Sequence, residues 1–411
     1  MKVAGVITEY NPFHNGHKFQ LDRIREITEA DYIVVAMSGN FVQRGLPSIC
    51  DKYCRTNMAL INGADLVLEI PVVWATASAE YFANAGVRLL NSTGCLDYLC
   101  FGAENDMLSD FIKYANLLNN EDDSVREKIL NFHKNGLTYP AARKKAYKEA
   151  NCLNFSEEFW QSVSMPNNTL AIEYLRALNN INSDAMPILI PRAGAGYHDT
   201  SIDSPLASAT AIRQSLISDV DAAYSALPVE VVKLLIQYEK EYGFVHPDEI
   251  SQLLSYRLLC DKETGFEEYA DVTESLSASI SKKIYNFDNF MNFATMLKSK
   301  NYTHTRITRA LIHILLQIKK TDYDNALSCD YVPYMRVLGF KKSASELLHT
   351  IKKEAAHPLI TKLADASSIL NENEIKILSH DILSSDIYNR LIIAHRKNVP
   401  ANEFIHGPVI I

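Results

Sequence analysis

Apolar and polar positions along the first half of the chain fall into short apolar blocks separated by amphipathic stretches. Val3-Ala4-Gly5-Val6-Ile7 has the continuous apolar character of a strand buried on both faces. Residues 19–29 then place Leu21, Ile24 and Thr28 on one helical face. The alternation continues. Segments 32–37, 66–71 and 96–101 read as further buried strands. Between them lie a helix capped by Asp51 and closed at Gly63, and another through Phe82, Val87 and Leu90. Residues 105–184 are mostly amphipathic helix and lead to a fifth strand at 186–190. Strands alternating with helices imply a parallel sheet with right-handed crossovers, an α/β Rossmann-like arrangement.

Beyond residue 218 the pattern changes. Segments 228–242, 248–259, 273–285, 287–297, 303–318 and 344–353 read as helices, with little strand pattern before Ile369. The chain is therefore expected to divide into a first domain over 1–217 and a mainly helical one over 218–411. A last helix runs through Tyr388 and Ile392, and the tail Gly407-Pro408-Val409-Ile410-Ile411 suits an edge strand.

Composition narrows the class. At 411 residues the chain exceeds one ordinary core, and 47% hydrophobic with 22% charged residues describes a globular protein in water. A net charge of −8 means that any nucleic acid must be held by a local patch. No basic-then-apolar leader precedes the first strand, and no run approaches the roughly 20 apolar residues of a membrane span. Seven cysteines without a C-x-x-C pair read as reduced thiols, so a cytoplasmic setting is expected. The loop after the first strand lacks GxGxxG, which disfavours a dinucleotide oxidoreductase.

That loop carries the candidate chemistry, Tyr10-Asn11-Pro12-Phe13-His14-Asn15-Gly16-His17-Lys18. Pro12 cannot continue a strand, Gly16 lets backbone approach a ligand, and His14 and His17 bracket a helix N-terminus. Free N–H groups and the helix dipole favour phosphate there. No Cys, Asp or Glu nearby completes a zinc spacing. Loops 38–45 and 102–105, and the segment after residue 190, should converge on the same ligand. The last begins Pro191-Arg192 and continues Ala193-Gly194-Ala195-Gly196-Tyr197-His198-Asp199. Arg192, permanently charged, suits a triphosphate, although a solvent-exposed linker arginine reads the same way. Asn167 or Asn168 caps the helix that follows, or reads an adenine edge or ribose. Further on, Ser204-Pro205-Leu206-Ala207-Ser208-Ala209-Thr210-Ala211-Ile212-Arg213 places Thr210 and Arg213 on one helical face as a second phosphate cradle.

His-x-Gly-His in this position resembles the signature of the nucleotidylyltransferase superfamily. The segment from Ser208 to Arg213 is similar to that superfamily's second signature, Ile-Ser-Ser-Thr-x-Ile-Arg, with Ala209 in place of its second serine. A narrower likeness follows from Glu9 to His17, Met37 to Gly45, Gly63 to Pro71, Phe101 to Glu104 and Gly194 to Asp199. Together these resemble the bacterial tRNA(Met) cytidine acetate ligase family over nearly the full chain. The resemblance implies that ATP and acetate give acetyl-adenylate and pyrophosphate. The N4 amine of the wobble cytidine of elongator tRNA(Met) then takes the acetyl group and AMP is released.

Residues carried over for ATP are Ile7, Thr8, Glu9, Tyr10, Asn11, Pro12, Phe13, His14, Asn15, Gly16, His17, Lys18, Phe19 and Gln20, with Gly102, an asparagine of the Asn167-Asn168 pair, and Arg192. The hydroxyls of Ser208 and Thr210 join them at the second signature. In this scheme His14 and His17 stabilise the α-phosphate in its transition state, and Lys18 and Arg213 neutralise the departing pyrophosphate. Mg²⁺ is expected with the triphosphate, and no protein metal ligands are assigned. Apolar residues near Phe41 and Trp74 are expected to limit the acid to two carbons.

Arg306 and Arg309 open a helix with positive charge against its dipole, which suggests an external anion. Lys282, Lys283, Lys298, Lys300, Arg336, Lys341 and Lys342, interleaved with Tyr302, Tyr331, Tyr334 and Phe340, extend the pattern. Phosphate contacts plus stacking aromatics suit RNA, and Arg306, Arg309, Lys341 and Lys342 are the expected tRNA contacts. Solvated helix faces and core tyrosines read equally well from composition. Two other functions stay open: an adenylyltransferase acting on a small phosphorylated metabolite, and a non-catalytic ATP-sensing RNA-binding protein.

Overall fold

The computed structural model describes residues 1–150, 154–192, 207–300 and 302–411. Its parallel strands are β1 (Val3–Thr8), β2 (Tyr32–Ser38), β5 (Leu66–Ile70), β6 (Tyr98–Ala103) and β7 (Met186–Pro191), and β3 (Phe41–Val42) and β4 (Leu46–Pro47) form a small antiparallel ribbon after β2. The sheet continues with β8 (Met335–Phe340), β9 (Leu359–Ile360) and β10 (Val409–Ile410). Its order is β10-β8-β5-β2-β1-β6-β7, with β9 beside β8. The chain winds from β1 outward through β2 and β5, then returns to the other side of β1 for β6 and β7. The order therefore reverses between β1 and β6, where open α/β sheets hold ligands beyond their carboxyl ends.

Continuous apolar strands are buried because helices cover both faces. Leu21, Ile24 and Thr28 of helix Asn15–Thr28 are buried, as the spacing predicts. Asp51 accepts from the Cys54 amide at 2.7 Å and caps helix Lys52–Ile61. Phe82, Val87 and Leu90 lie on the buried face of helix Ala79–Asn91.

The second half of the chain is mainly helical, with helices Val229–Glu241, Ser251–Asp261, Glu274–Lys283, Phe290–Leu297, His304–Leu315 and Ser345–Glu354 near the expected places. It is not a separate core. β8 pairs antiparallel with β5, and the tail strand β10 runs parallel to β8 at the sheet edge, so the sheet crosses the division expected at 217/218. Arg336 and Gly339 disguise β8 in the sequence, and each has a reason. A Cβ on Gly339 would sit 2.6 Å from the Val409 carbonyl, and Arg336 is buried among acids.

Buried charge needs partners. Lys52 Nζ reaches Glu69 at 2.8 Å and Glu403 at 3.0 Å, and Arg336 pairs with Glu69 at 3.2 Å and with Glu403. These four side chains tie β5 and helix Lys52–Ile61 to the second half of the chain. No helix among the described residues is long and apolar enough to cross a membrane.

Candidate active site

The cavity at the β1/β6 reversal is built first by the loop leaving β1. His14 is the N-cap of helix Asn15–Thr28, and its Nδ1 accepts from the Gly16 amide at 3.1 Å. His17 reciprocates: its Nδ1 accepts from the His14 amide at 3.3 Å. The two rings stack, centroids 3.7 Å apart. With each Nδ1 taken up as an acceptor, Nε2 carries the proton and is the donor left over. Burial, seconded by Arg192 and Arg213, pushes the His14 pKa down to about 3. Burial likewise depresses His17 far below the ordinary imidazole range. Both are neutral N–H donors at physiological pH. Gly16 makes the pairing possible, because a Cβ there would lie 2.9 Å from His14 Cε1.

Arg55, fully buried, fastens the carboxyl ends of β1 and β2 by donating to the carbonyls of Glu9 at 2.7 Å and Ser38 at 3.1 Å. Glu9 Oε1 accepts from the Gln43 amide at 2.9 Å. Arg213 donates to the Asn11 carbonyl at 2.7 Å and to Thr210 Oγ1 at 3.3 Å. Burial lowers its pKa to about 10, which still leaves it charged. Ser208 caps helix Ala209–Ser218, accepting from the Ala211 amide at 3.1 Å.

Ile7, Thr8, Glu9, Tyr10, Asn11, His14, His17, Gln20, Gly102, Asn167, Arg192, Ser208, Thr210 and Arg213 all line this cavity. Gly16 and Phe19 line a smaller adjoining one, together with Ile190 and Pro191. Other candidates are placed differently. Lys18 pairs with Asp22 at 3.0 Å one turn along the helix and lines neither cavity. Pro12 and Phe13 are buried beneath the loop, and the Asn15 amide donates to the Ala226 carbonyl at 3.0 Å. Residues 193–206, including Gly194, Gly196, Tyr197, His198, Asp199, Ser204, Pro205 and Leu206, lie outside the described residues.

Neither asparagine caps helix Pro166–Asn180. Met165 holds the N-cap position, and the acceptor for the first-turn amides is the Glu104 carboxylate, which receives Asn167 at 3.0 Å and Asn168 at 2.8 Å. Asn168 is fully buried, receiving the Glu104 amide at 2.9 Å, so it shapes the loop after β6 while Asn167 faces the cavity. Phe41 and Trp74 are also fully buried and line no part of the cavity, Trp74 donating to the Tyr331 carbonyl at 2.7 Å. The apolar wall is instead Phe82, Phe101, Leu170 and Tyr174, with Phe101 and Tyr174 ring centroids 5.8 Å apart. Gln43 and Arg44 line the cavity too. Their only signal in the sequence was membership of the 38–45 loop.

The expected RNA contacts separate. Arg309 is largely buried and pairs with Asp271 at 2.8 Å. Lys341 reaches Asp65 at 3.4 Å, and with the exposed Lys342 it stands at the amino end of β5, the edge of the sheet opposite the cavity. Arg306 differs. It lies over the Tyr302 ring at 5.3 Å, and its helix is joined to the cavity rim where Thr308 donates to the Arg44 carbonyl at 2.6 Å.

A Rossmann-like sheet with paired imidazoles at a helix start defines a class, and the family described as HIGH Nucleotidyl Transferase matches residues 1–402. Within that class the chain belongs to the tRNA(Met) cytidine acetate ligase family. It is 37% identical to the tRNA(Met) cytidine acetate ligase of Halothermothrix orenii, over 98% of each chain. It is also 37% identical to that of a Thermoanaerobacter species, over 99% of each. Apo TmcAL of Thermotoga maritima superposes with a TM-score of 0.95 at 28% identity over 100% of both chains. The same protein bound with alpha-thio ATP gives 0.92 at 28%, over 100% of this chain and 99% of that one.

Proposed function

We propose that the protein is an ATP-dependent ligase that activates acetate as acetyl-adenylate and passes the acetyl group to N4 of the wobble cytidine of elongator tRNA(Met) in the cytoplasm. The observation that carries this reading is the stacked His14–His17 pair, with both Nδ1 atoms committed to backbone amides and both Nε2–H groups left to donate. Preorganised neutral donors beside a helix N-terminus suit an α-phosphate on which charge builds. An acetate oxygen attacks the α-phosphorus, and the bond to pyrophosphate breaks. No nucleophilic side chain is needed.

Arg192 and Arg213 meet the charge of the triphosphate, while Phe19, Ile190 and Pro191 offer an apolar slot for the purine. The wall of Phe82, Phe101, Leu170 and Tyr174 faces the methyl group of acetate. Lys18, paired outside the cavity, takes no direct part. Among the described residues no His, Cys, Asp or Glu cluster of metal-binding kind exists, and Glu9 is the single carboxylate lining the cavity. Mg²⁺ accompanies the triphosphate on the nucleotide's own oxygens, with no protein ligand assigned to it.

RNA approaches over the rim made by loop 38–45 and the start of helix His304–Leu315. Arg306 stacks there on Tyr302, and the exposed Lys298 and Lys300 carry no ion pair among the described residues. Incubation with ATP, labelled acetate and tRNA, followed by nucleoside mass spectrometry, is expected to yield N4-acetylcytidine. Omission of ATP or acetate abolishes it. A product that forms without acetate, or none from any tRNA, contradicts the proposal.

A further inference from the structure

The second half-reaction needs a proton acceptor. When the N4 amine attacks the acetyl carbonyl, a C–N bond forms and the C–O bond to the adenylate phosphate breaks. AMP leaves with the electron pair, and one N4 proton must go elsewhere. The histidines are poor recipients, because each Nδ1 already accepts a backbone N–H and each Nε2 already bears its proton. Tyr174 also lines the cavity, but burial raises its pKa, so its phenol keeps its proton, and Arg192 and Arg213 are cations. Thr210 Oγ1 is occupied by Arg213, and Ser208 caps its helix.

Resting on the ligase reading above, we propose that Glu9 is the general base of acetyl transfer, taking the proton released from the cytidine N4 as the C–N bond forms. It stands at the carboxyl end of β1 and is the single carboxylate among the described residues lining the cavity. Its position is fixed twice: the backbone carbonyl is held by Arg55 at 2.7 Å, and Oε1 by the Gln43 amide at 2.9 Å. Oε2 accepts no hydrogen bond from any described residue, which leaves it for an incoming amine. Gln43 adjoins Arg44, whose carbonyl is bonded to helix His304–Leu315, so the carboxylate sits behind the rim assigned to RNA. A carboxylate base so placed acts after adenylation, in a step separate from attack on the α-phosphorus.

The test separates the two half-reactions in Glu9→Gln, which is nearly isosteric and preserves the Gln43 contact through its carbonyl oxygen. Wild-type protein and variant are each given ATP and acetate with either hydroxylamine or tRNA(Met). Hydroxylamine traps acetyl-adenylate as acetohydroxamate without help from a positioned base. General-base catalysis is typically worth about 100-fold or more. The variant is therefore expected to form acetylcytidine at least about 100-fold more slowly in single turnover, while its hydroxamate yield falls by less than tenfold. Glu9→Asp should recover part of the transfer rate. Acetylcytidine formation by Glu9→Gln at the wild-type rate overturns the assignment. An equal loss of hydroxamate and acetylcytidine also overturns it, making Glu9 a nucleotide-binding group. Absence of hydroxamate from the wild-type protein instead contradicts the ligase reading itself.

Discussion

Two places in this sheet bury charged and polar side chains, and they use them in opposite ways. In the seam between β5, β8 and helix Lys52–Ile61, Lys52, Glu69, Arg336 and Glu403 answer one another inside 3.2 Å. At the β1/β6 reversal, among the described residues, backbone groups engage one nitrogen of each histidine and one carboxylate oxygen of Glu9 accepts no bond. The first arrangement holds two halves of a chain together. The second holds donors in place for something that is not protein. The lesson is that a charged or polar residue near the centre of a fold indicates a site only when part of its hydrogen-bonding capacity is left facing a cavity.

Breaking the open region has the largest expected effect. His14→Ala or His17→Ala should each lower acetate-dependent pyrophosphate exchange by about 100-fold or more, the loss typical of one removed charge-stabilising donor. Because burial holds His14 at a pKa of about 3, exchange should show no imidazole titration between pH 6 and 8. A rate that rises or falls as a free histidine titrates contradicts the neutral pair.

Breaking the closed region should cost stability instead. Glu403→Gln leaves Lys52 and Arg336 short of a counter-charge and should destabilise the fold by about 3 kcal/mol at neutral pH, read by denaturant titration. Burial pulls the Glu403 pKa upward, but Lys52 and Arg336 win and hold it at about 2, below its ordinary 4.5. Its contribution is therefore full above pH 4.5 and fades as pH falls toward 2, so the gap between wild type and variant should narrow over that range. Asp381 has the reverse sign. Burial and Glu69 raise it from 3.8 to about 7, so stability from this group declines as pH rises through that window.

A smaller effect should separate the RNA rim from the opposite edge. Arg306→Glu is expected to weaken tRNA binding about tenfold by filter binding at low salt, with a shallower salt dependence. Lys341→Glu and Lys342→Glu should change it less. The least effect belongs to Lys18→Ala: its partner Asp22 is on the helix exterior, and exposed pairs of this kind contribute under about 1 kcal/mol. Exchange should stay within about twofold of wild type.

Much of this was legible in the chain. Continuous apolar runs disclosed β1, β2, β5, β6 and β7, because a strand buried on both faces has no polar alternation to confuse it. The histidine loop and Arg213 were legible because ligand-binding loops carry types, such as Gly16 between two imidazoles, that packing alone does not call for. β8 was hidden, since its Arg336 has its partners far away in sequence at Glu69 and Glu403. The same blindness to distant partners hid the pairing of Arg309 with Asp271 and of Lys341 with Asp65. The apolar wall of the cavity was not legible from Phe41 and Trp74, because an aromatic side chain reads alike whether it fills a core or lines a cavity.

The most direct test is a crystal structure with a non-hydrolysable ATP analogue. The account predicts phosphate oxygens within hydrogen-bonding distance of Nε2 of both His14 and His17, with Arg213 beside the outer phosphates. A triphosphate bound away from the two imidazoles, or contacted through their Nδ1 atoms with the backbone bonds broken, would contradict it.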